Sequence, residues 1–322
     1  MLGRNDTSSV DDGEKVVFRK KLVGETSDVK RRYDNLLLWD KYCRQHDDIF
    51  SPLIIRSDYE NKTLDYEYIE AAKDIKLFNN TVLEDNSKKL LLTLTEMLAK
   101  INSIKPGRQD RILQYSAKNI FCNAIDKNTY CMCSGGELEF ISILQHDSKL
   151  LETAEKHGKN TEISEENIGL CHGDIRFDQF LPDKSGRIWI TDFEECHFGD
   201  ITDDLAYLIG SIMADTLFDA FSFADPDISN AESADEEFKR RCNANIDVAA
   251  SLINSVYDEY CKNVQNNINT KEISFKVGKF IFERILSRTK LSYKMSEIDK
   301  AVAGVARQLI INPEILAEMI RN

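Results

Sequence analysis

The chain has 322 residues, 42% hydrophobic and 30% charged, with 55 acidic against 42 basic residues and a formal charge of −13. That balance disfavours non-specific binding to nucleic acid or to an anionic membrane, both of which recruit clustered Lys and Arg. No apolar run reaches the roughly 18 residues of a membrane span, and the start MLGRNDTSSVDDGE has no signal-peptide core, so a cytoplasmic protein with its eight scattered cysteines as free thiols is expected.

At roughly 150 residues per domain the length leads us to expect two domains or lobes. Residues 1 to about 72 should form short strands around one helix. Lys15 to Leu22 is a strand after the turn Asp11-Asp12-Gly13, and Thr63 to Ile69 is a second, with Leu53 to Arg56 as its hairpin partner. Between them Tyr33, Leu37, Leu38 and Tyr42 recur at helical spacing within Ser27 to Gln45. Thr81 to Glu84 has the form of a capping box, and Leu90, Leu94, Met97 and Ile101 then mark a helix stopped by Pro106-Gly107. Beyond residue 205 the pattern is helical, over Ile246 to Cys261, Ile273 to Met295 and Glu297 to Ile311, and Asp225 to Glu237 reads as a surface loop or frayed helix start.

The chemistry is concentrated between residues 169 and 206. A polar loop holding His172-Gly173-Asp174 and Arg176 lies between apolar stretches. A turn at Asp183 to Gly186, a short strand and the carboxylate Asp192 follow. A hairpin can bring Asp174 and Asp192 to one site. Two acids so placed suit phosphoryl transfer, one orienting and deprotonating a hydroxyl while the other holds the magnesium that bridges nucleotide phosphates.

In these residues the chain resembles the aminoglycoside phosphotransferase and choline-kinase-like small-molecule kinases, whose fold is that of the protein kinases. His172-Gly173-Asp174, then Asp192-Phe193-Glu194, Gly199-Asp200 and Asp204-Leu205-Ala206 follow the family's order and spacing. The resemblance implies Asp174 as catalytic base, Asp192 as principal magnesium ligand, Arg176 as the cation near the transferring group, and Asp204 as a brace for the catalytic loop. Gln179 stands where the family usually has Asn as second metal ligand. Its amide oxygen is chemically equivalent and one methylene further out, and maltokinase-like relatives share it.

The resemblance also calls for a cation on a strand of the first lobe and an acid on the following helix. Strand alternation groups Val17, Arg19 and Lys21 against Phe18 and Lys20. A small apolar residue two before the cation favours Arg19, with Lys21 and Lys20 as alternatives. Asp34 is the candidate helix acid. Glu67 and Ile69 form the hinge that reads the nucleotide base through backbone groups, and Gly3 to Ser9 is the candidate phosphate loop.

The expected fold is α+β and two-lobed, protein-kinase-like, with a small strand-rich lobe over 1–72 and a mainly helical lobe over 73–322. The expected activity is transfer of phosphate from ATP, or GTP, with Mg2+, to a hydroxyl of a small molecule such as an aminoglycoside, an amino alcohol or a sugar. The acids Glu194, Glu195, Asp200, Asp203 and Asp204 would favour a cationic acceptor. The alternatives are a nucleotide-binding pseudokinase without turnover and a sugar kinase.

Overall fold

The computed structural model describes residues 5–11, 13, 15–70, 78–79, 82–83, 87–108, 110, 120–121, 127–159, 163–221, 231–266 and 268–321. An antiparallel sheet opens the chain, with β1 (Asp6–Asp11), β2 (Val16–Lys21), β3 (Ile54–Asp58) and β4 (Thr63–Glu67) in spatial order β1-β2-β4-β3. Helix α1 (Thr26–Cys43) crosses from β2 to β3. It buries Val29, Tyr33, Leu36, Trp39 and Tyr42, a stripe at three- and four-residue steps, while Leu37 stays exposed.

Two expectations about this region are corrected. Asp6 to Ser9, read as part of a phosphate loop, lie within β1 and pair with β2, Ser8 standing opposite Arg19; Gly3 and Arg4 fall outside the described residues. Val82 and Leu83, read as the interior of a capping box, form the short strand β6 (Val82–Leu83) against β5 (Phe78–Asn79). Thr81 and Glu84 of that box lie outside the described residues, and the helix itself, α2, runs over Ser87–Asn102 with Leu94, Met97 and Ile101 buried.

The rest is mainly helical. After α3 (Lys127–Met132), α4 (Gly135–Gln145) and α5 (Ser148–Lys159) come four short strands, β7 (Ile168–Cys171), β8 (Phe180–Pro182), β9 (Ile188–Ile190) and β10 (His197–Asp200). They pair as two antiparallel ribbons, β7 with β10 and β8 with β9. Helices α6 (Thr202–Phe221), α7 (Ala231–Val264), α8 (Thr270–Thr289), α9 (Glu297–Ile311) and α10 (Glu314–Arg321) complete the chain. The segment read as loop or frayed helix start is helical from Ala231 on. One continuous apolar core runs from Leu22 and Trp39 through Phe193 and Leu205 to Ile285 and Leu309. The strands and loops that carry the site are thus packed against this core. Among the described residues no helix is long and apolar enough to cross a membrane, and the seven described cysteines are free.

Candidate active site

Strand pairing decides which side of β2 faces the site. Lys20 stands opposite Thr7 on β1 and Leu64 on β4, and Phe18 stands opposite Ser9 and Tyr66, whereas Arg19 stands opposite Asp65. Because side chains alternate, Lys20, Phe18, Thr7 and Tyr66 share one face, and Arg19 with Asp65 takes the other. The first set lines a cavity of about 260 Å3 whose opposite wall includes Arg176, Asp178, Gln179, Asp192 and Phe193. Lys20 Nζ lies 2.5 Å from Asp192 Oδ1 and 2.5 Å from Glu194 Oε1. Burial opposes its charge, but the two carboxylates outweigh burial and hold the ammonium above the ordinary lysine value.

The three candidate cations divide between these two faces. Arg19 is clamped by Asp65, with Nε 2.6 Å from Oδ1 and Nη2 2.7 Å from Oδ2, and Lys21 is exposed on Arg19's side of the strand. Lys20, the alternative, is the residue that meets Asp192. Asp34 likewise points elsewhere, into an exposed pair with Lys30 one turn away. Glu67 and Ile69 line a second cavity of about 560 Å3 together with Lys15, Val16, Tyr68 and Trp189. Glu67 Oε2 accepts from the Leu53 amide at 3.2 Å. Neither residue lines the Lys20 cavity.

The catalytic loop is held from several sides. Gly173 has φ +84, and a Cβ there would sit 2.4 Å from the Glu195 carbonyl oxygen, so the His-Gly-Asp turn requires glycine. Asp204 accepts from the amides of His172 at 2.7 Å and Gly173 at 2.9 Å, and from Asn102 Nδ2 at 2.9 Å, which is the bracing the resemblance implies. His172 is fully buried, and burial lowers its pKa, so the ring is neutral. Donation from Nε2 to the Thr191 carbonyl at 2.9 Å leaves Nδ1 to accept from the Asp174 amide at 3.4 Å, an orienting role.

Asp174 and Arg176 leave this loop into the cleft, Arg176 Nη1 3.5 Å from Asp174 Oδ2 and Nε 3.2 Å from Asp178 Oδ1. The neighbouring walls partly desolvate Asp174, whose side chain is still 37% exposed, and despite Arg176 the carboxyl is pushed up to about 7. A carboxyl poised there can take a proton from a hydroxyl near neutral pH. Asp192 behaves oppositely: burial would raise it, but Lys20 and Arg176 hold it below the ordinary value, which favours the anion. Its backbone is left-handed, φ 70 and ψ 49, a strained conformation for a non-glycine residue and one that recurs at functional sites.

The donor set suits magnesium. Asp192 Oδ1 holds Lys20, which leaves Oδ2 for a cation. Gln179 Oε1 accepts from the Arg176 amide at 3.0 Å and keeps one lone pair, while its buried Nε2 has no partner among the described residues. One carboxylate and one amide oxygen match a magnesium ion that takes the rest of its shell from phosphates and water.

Arg32, Asp215 and Arg284 carried no readable motif, and Glu194 was legible only as part of Asp192-Phe193-Glu194 and of the acidic run. Arg32 on α1 and Glu194 form an ion pair beneath Lys20, with Nη1 to Oε2 2.9 Å. Asp215 on α6 and Arg284 on α8 lie within electrostatic reach of each other and of Asp178, and Arg284 also of Asp174 and Arg176. Loss of solvation beside neighbouring side chains raises the Asp215 carboxyl to about 6 and lowers Arg284, although Asp215 keeps an exposed surface. The supposed acidic rim is engaged internally. Glu194 binds Lys20 and Arg32, Glu195 is gripped by Arg31 at 2.5 and 2.8 Å, and Asp200 and Asp203 share Lys276 at 2.7 and 2.8 Å.

The sequence pattern of the phosphotransferase enzyme family matches residues 5–234, more than half of the chain. The chain belongs to that family, and it is a phosphotransferase. Among solved structures it is similar to the choline kinase LicA from Streptococcus pneumoniae, at 12% identity over 96% of this chain and 90% of that one, with a TM-score of 0.55. A choline/ethanolamine kinase family protein from Mesorhizobium loti matches at 13% identity over 100% and 94%, TM-score 0.50. The amicoumacin kinase hAmiN in complex with AMP-PNP, Ca2+ and Ami matches at 13% over 95% and 88%, TM-score 0.50. At these identities the likeness is one of fold, the two-lobed kinase-like fold with a small antiparallel sheet and a mainly helical remainder. No curated protein matches the chain.

Proposed function

We propose that the enzyme moves the terminal phosphoryl group of ATP, or GTP, to a hydroxyl group of a small molecule in the cleft beside Asp174. The observation that carries this reading is the meeting of Lys20 from the sheet with Asp192 from the helical part at 2.5 Å, with Asp174 raised to about 7 on the adjoining loop. Asp174 accepts the hydroxyl proton as the acceptor oxygen bonds to the terminal phosphorus. The bond from that phosphorus to its bridging oxygen breaks, the nucleoside diphosphate keeps the electron pair, and Asp174 returns the proton to solvent. Lys20 binds the phosphates and Arg176 offsets charge near the group in transfer. Asp192 with Gln179 would hold magnesium, which supplies charge neutralisation on the phosphates. The orphaned Gln179 Nε2 and Tyr66 hydroxyl, both buried at this cavity, support occupancy by a polar ligand.

Beyond Asp174 lie Asp178, Asp215 and Arg284, both signs of charge within electrostatic reach of one another. This favours an acceptor with an amine and an acidic or strongly hydrogen-bonding group over a purely cationic one. A screen of hydroxyl-bearing amines, amino acids, sugars and antibiotics for stimulated ATP consumption tests the reading, with Asp215→Asn and Arg284→Gln alongside. The expected hit loses acceptor affinity in both variants and keeps its nucleotide affinity. No stimulation across the screen, in protein that also fails to bind nucleotide, overturns it.

A further inference from the structure

The resemblance leads one to expect an acid on α1 to hold the phosphate-binding lysine, and the helix places a cation there instead. Arg32 is fully buried, and each of its three guanidinium nitrogens has a partner. Nε meets Asp28 Oδ2 at 3.0 Å, Nη1 meets Asn5 Oδ1 at 2.8 Å and Glu194 Oε2 at 2.9 Å, and Nη2 meets the Val23 carbonyl at 2.6 Å. Glu194 divides its two oxygens: Oε2 goes to Arg32, while Oε1 takes Lys20 at 2.5 Å and Asn5 Nδ2 at 2.5 Å. Its own backbone carbonyl accepts from Asn35 Nδ2 at 2.7 Å, so α1 fixes main chain and side chain together.

We propose that Glu194, two residues after Asp192, is the positioning residue for Lys20, taking the place of a helix acid, and that Arg32 is the buried counter-charge that keeps Glu194 in register. The physical need is plain. Lys20 has two carboxylate partners, and Asp192 is the one required by a metal when nucleotide binds. Asp192 Oδ1 can keep the ammonium while Oδ2 takes the metal, but a carboxylate shared with a dication holds Lys20 more weakly, and Glu194 is the anchor that the metal does not draw on. Glu194 holds it from beneath, and Arg32 prevents a carboxylate with 10% side-chain exposure from standing as an isolated buried charge. The arrangement reverses the usual polarity, with the cation on the helix and the acid on the strand exit.

This proposal rests on the nucleotide reading above, and calorimetry with magnesium separates the two. The full chain is titrated with ATP and with adenosine, which lacks phosphates. Wild type, Glu194→Gln, Glu194→Asp, Lys20→Ala, Lys20→Ala/Glu194→Gln and Glu195→Gln are compared. Glu194→Gln is expected to weaken ATP about tenfold or more, roughly 1.4 kcal/mol, and to leave adenosine within about twofold. Glu194→Asp, which keeps the charge but draws it back by a methylene, falls between, and serves if the Gln variant does not fold. The double variant should be no weaker than Lys20→Ala alone, since both changes remove one interaction. Glu195→Gln breaks the neighbouring contact of the same helix with Arg31 and should leave ATP affinity unchanged. Equal loss of ATP and adenosine, additive effects in the double variant, or a matching loss in Glu195→Gln would overturn the proposal while nucleotide binding stands. A wild type that binds neither ligand removes the nucleotide reading and this proposal with it.

Discussion

Lys20 and Arg19 differ by one position and face opposite ways, and the pair marks where a strand pattern stops being informative. The alternation of β2 was legible from sequence, but the choice of face belongs to its neighbours: Asp65 on β4 captures Arg19, and Thr7 and Tyr66 share the side of Lys20. Lys20→Ala should therefore weaken magnesium-ATP binding tenfold or more. Arg19→Ala should leave binding within about twofold and cost about 1–3 kcal/mol of stability, because it takes a charge-assisted partner from the buried Asp65. Calorimetry and thermal unfolding of both variants check this, and the reverse ranking would reinstate Arg19. Asp174 gives a pH prediction. Its carboxyl is raised to about 7 because the cleft desolvates the anion. A raised acid value means the proton is held more tightly in the folded state, so folded-state stability falls as pH rises from the ordinary aspartate range toward 7. Activity runs the other way: kcat/KM for the acceptor should rise through an acid limb centred near the raised value of about 7. A flat profile from pH 5 to 9 would remove Asp174 from proton transfer.

At the scale of elements, helix α1 does more than fill the space between β2 and β3. Trp39 stacks on Phe193 with ring centroids 3.6 Å apart and planes 6° from parallel, and Phe193 also meets the His172 ring at 4.4 Å. The residue after Asp192 is thus clamped between the helix and the catalytic loop. Trp39→Ala should cost about 3–5 kcal/mol by opening a cavity in this stack, and it should loosen Asp192. Denaturant unfolding measures the first effect and a raised Kd for magnesium-ATP the second; a stable variant with unchanged affinity would show that the stack does not position the site. The motifs from His172 to Asp204 were legible because a loop, a turn and a short strand bring them together within a local stretch of chain. The partnership of Arg32 with Glu194 was not, since it joins residues 162 apart in sequence through the docking of one helix. Asp215 and Arg284 sit mid-helix without any motif, and only the packing of α6 against α8 brings them to the cleft.

For the molecule as a whole, composition and charge excluded partners but did not name one. The acidic surplus is spread over the chain, and the run after Asp192 that looked like a lure for a cationic acceptor is spent on Lys20, Arg32, Arg31 and Lys276. A strand-rich beginning and a mainly helical remainder were legible from the periodicity, although the expected boundary near residue 72 lies outside the described residues; the acceptor side was not legible, because it is assembled late in the chain from helices whose patterns report only burial. The account as a whole stands on Asp174 as the group that takes the acceptor's proton while Lys20 and Asp192 manage the phosphates. The most direct measurement is single-turnover phosphoryl transfer to the acceptor found by screening, in wild type and in Asp174→Asn, with magnesium-ATP affinity measured on the same preparations. We expect transfer to fall about a hundredfold or more in Asp174→Asn with ATP affinity unchanged within about twofold, since the base acts on the acceptor and not on the nucleotide; transfer within a few-fold of wild type would contradict the account.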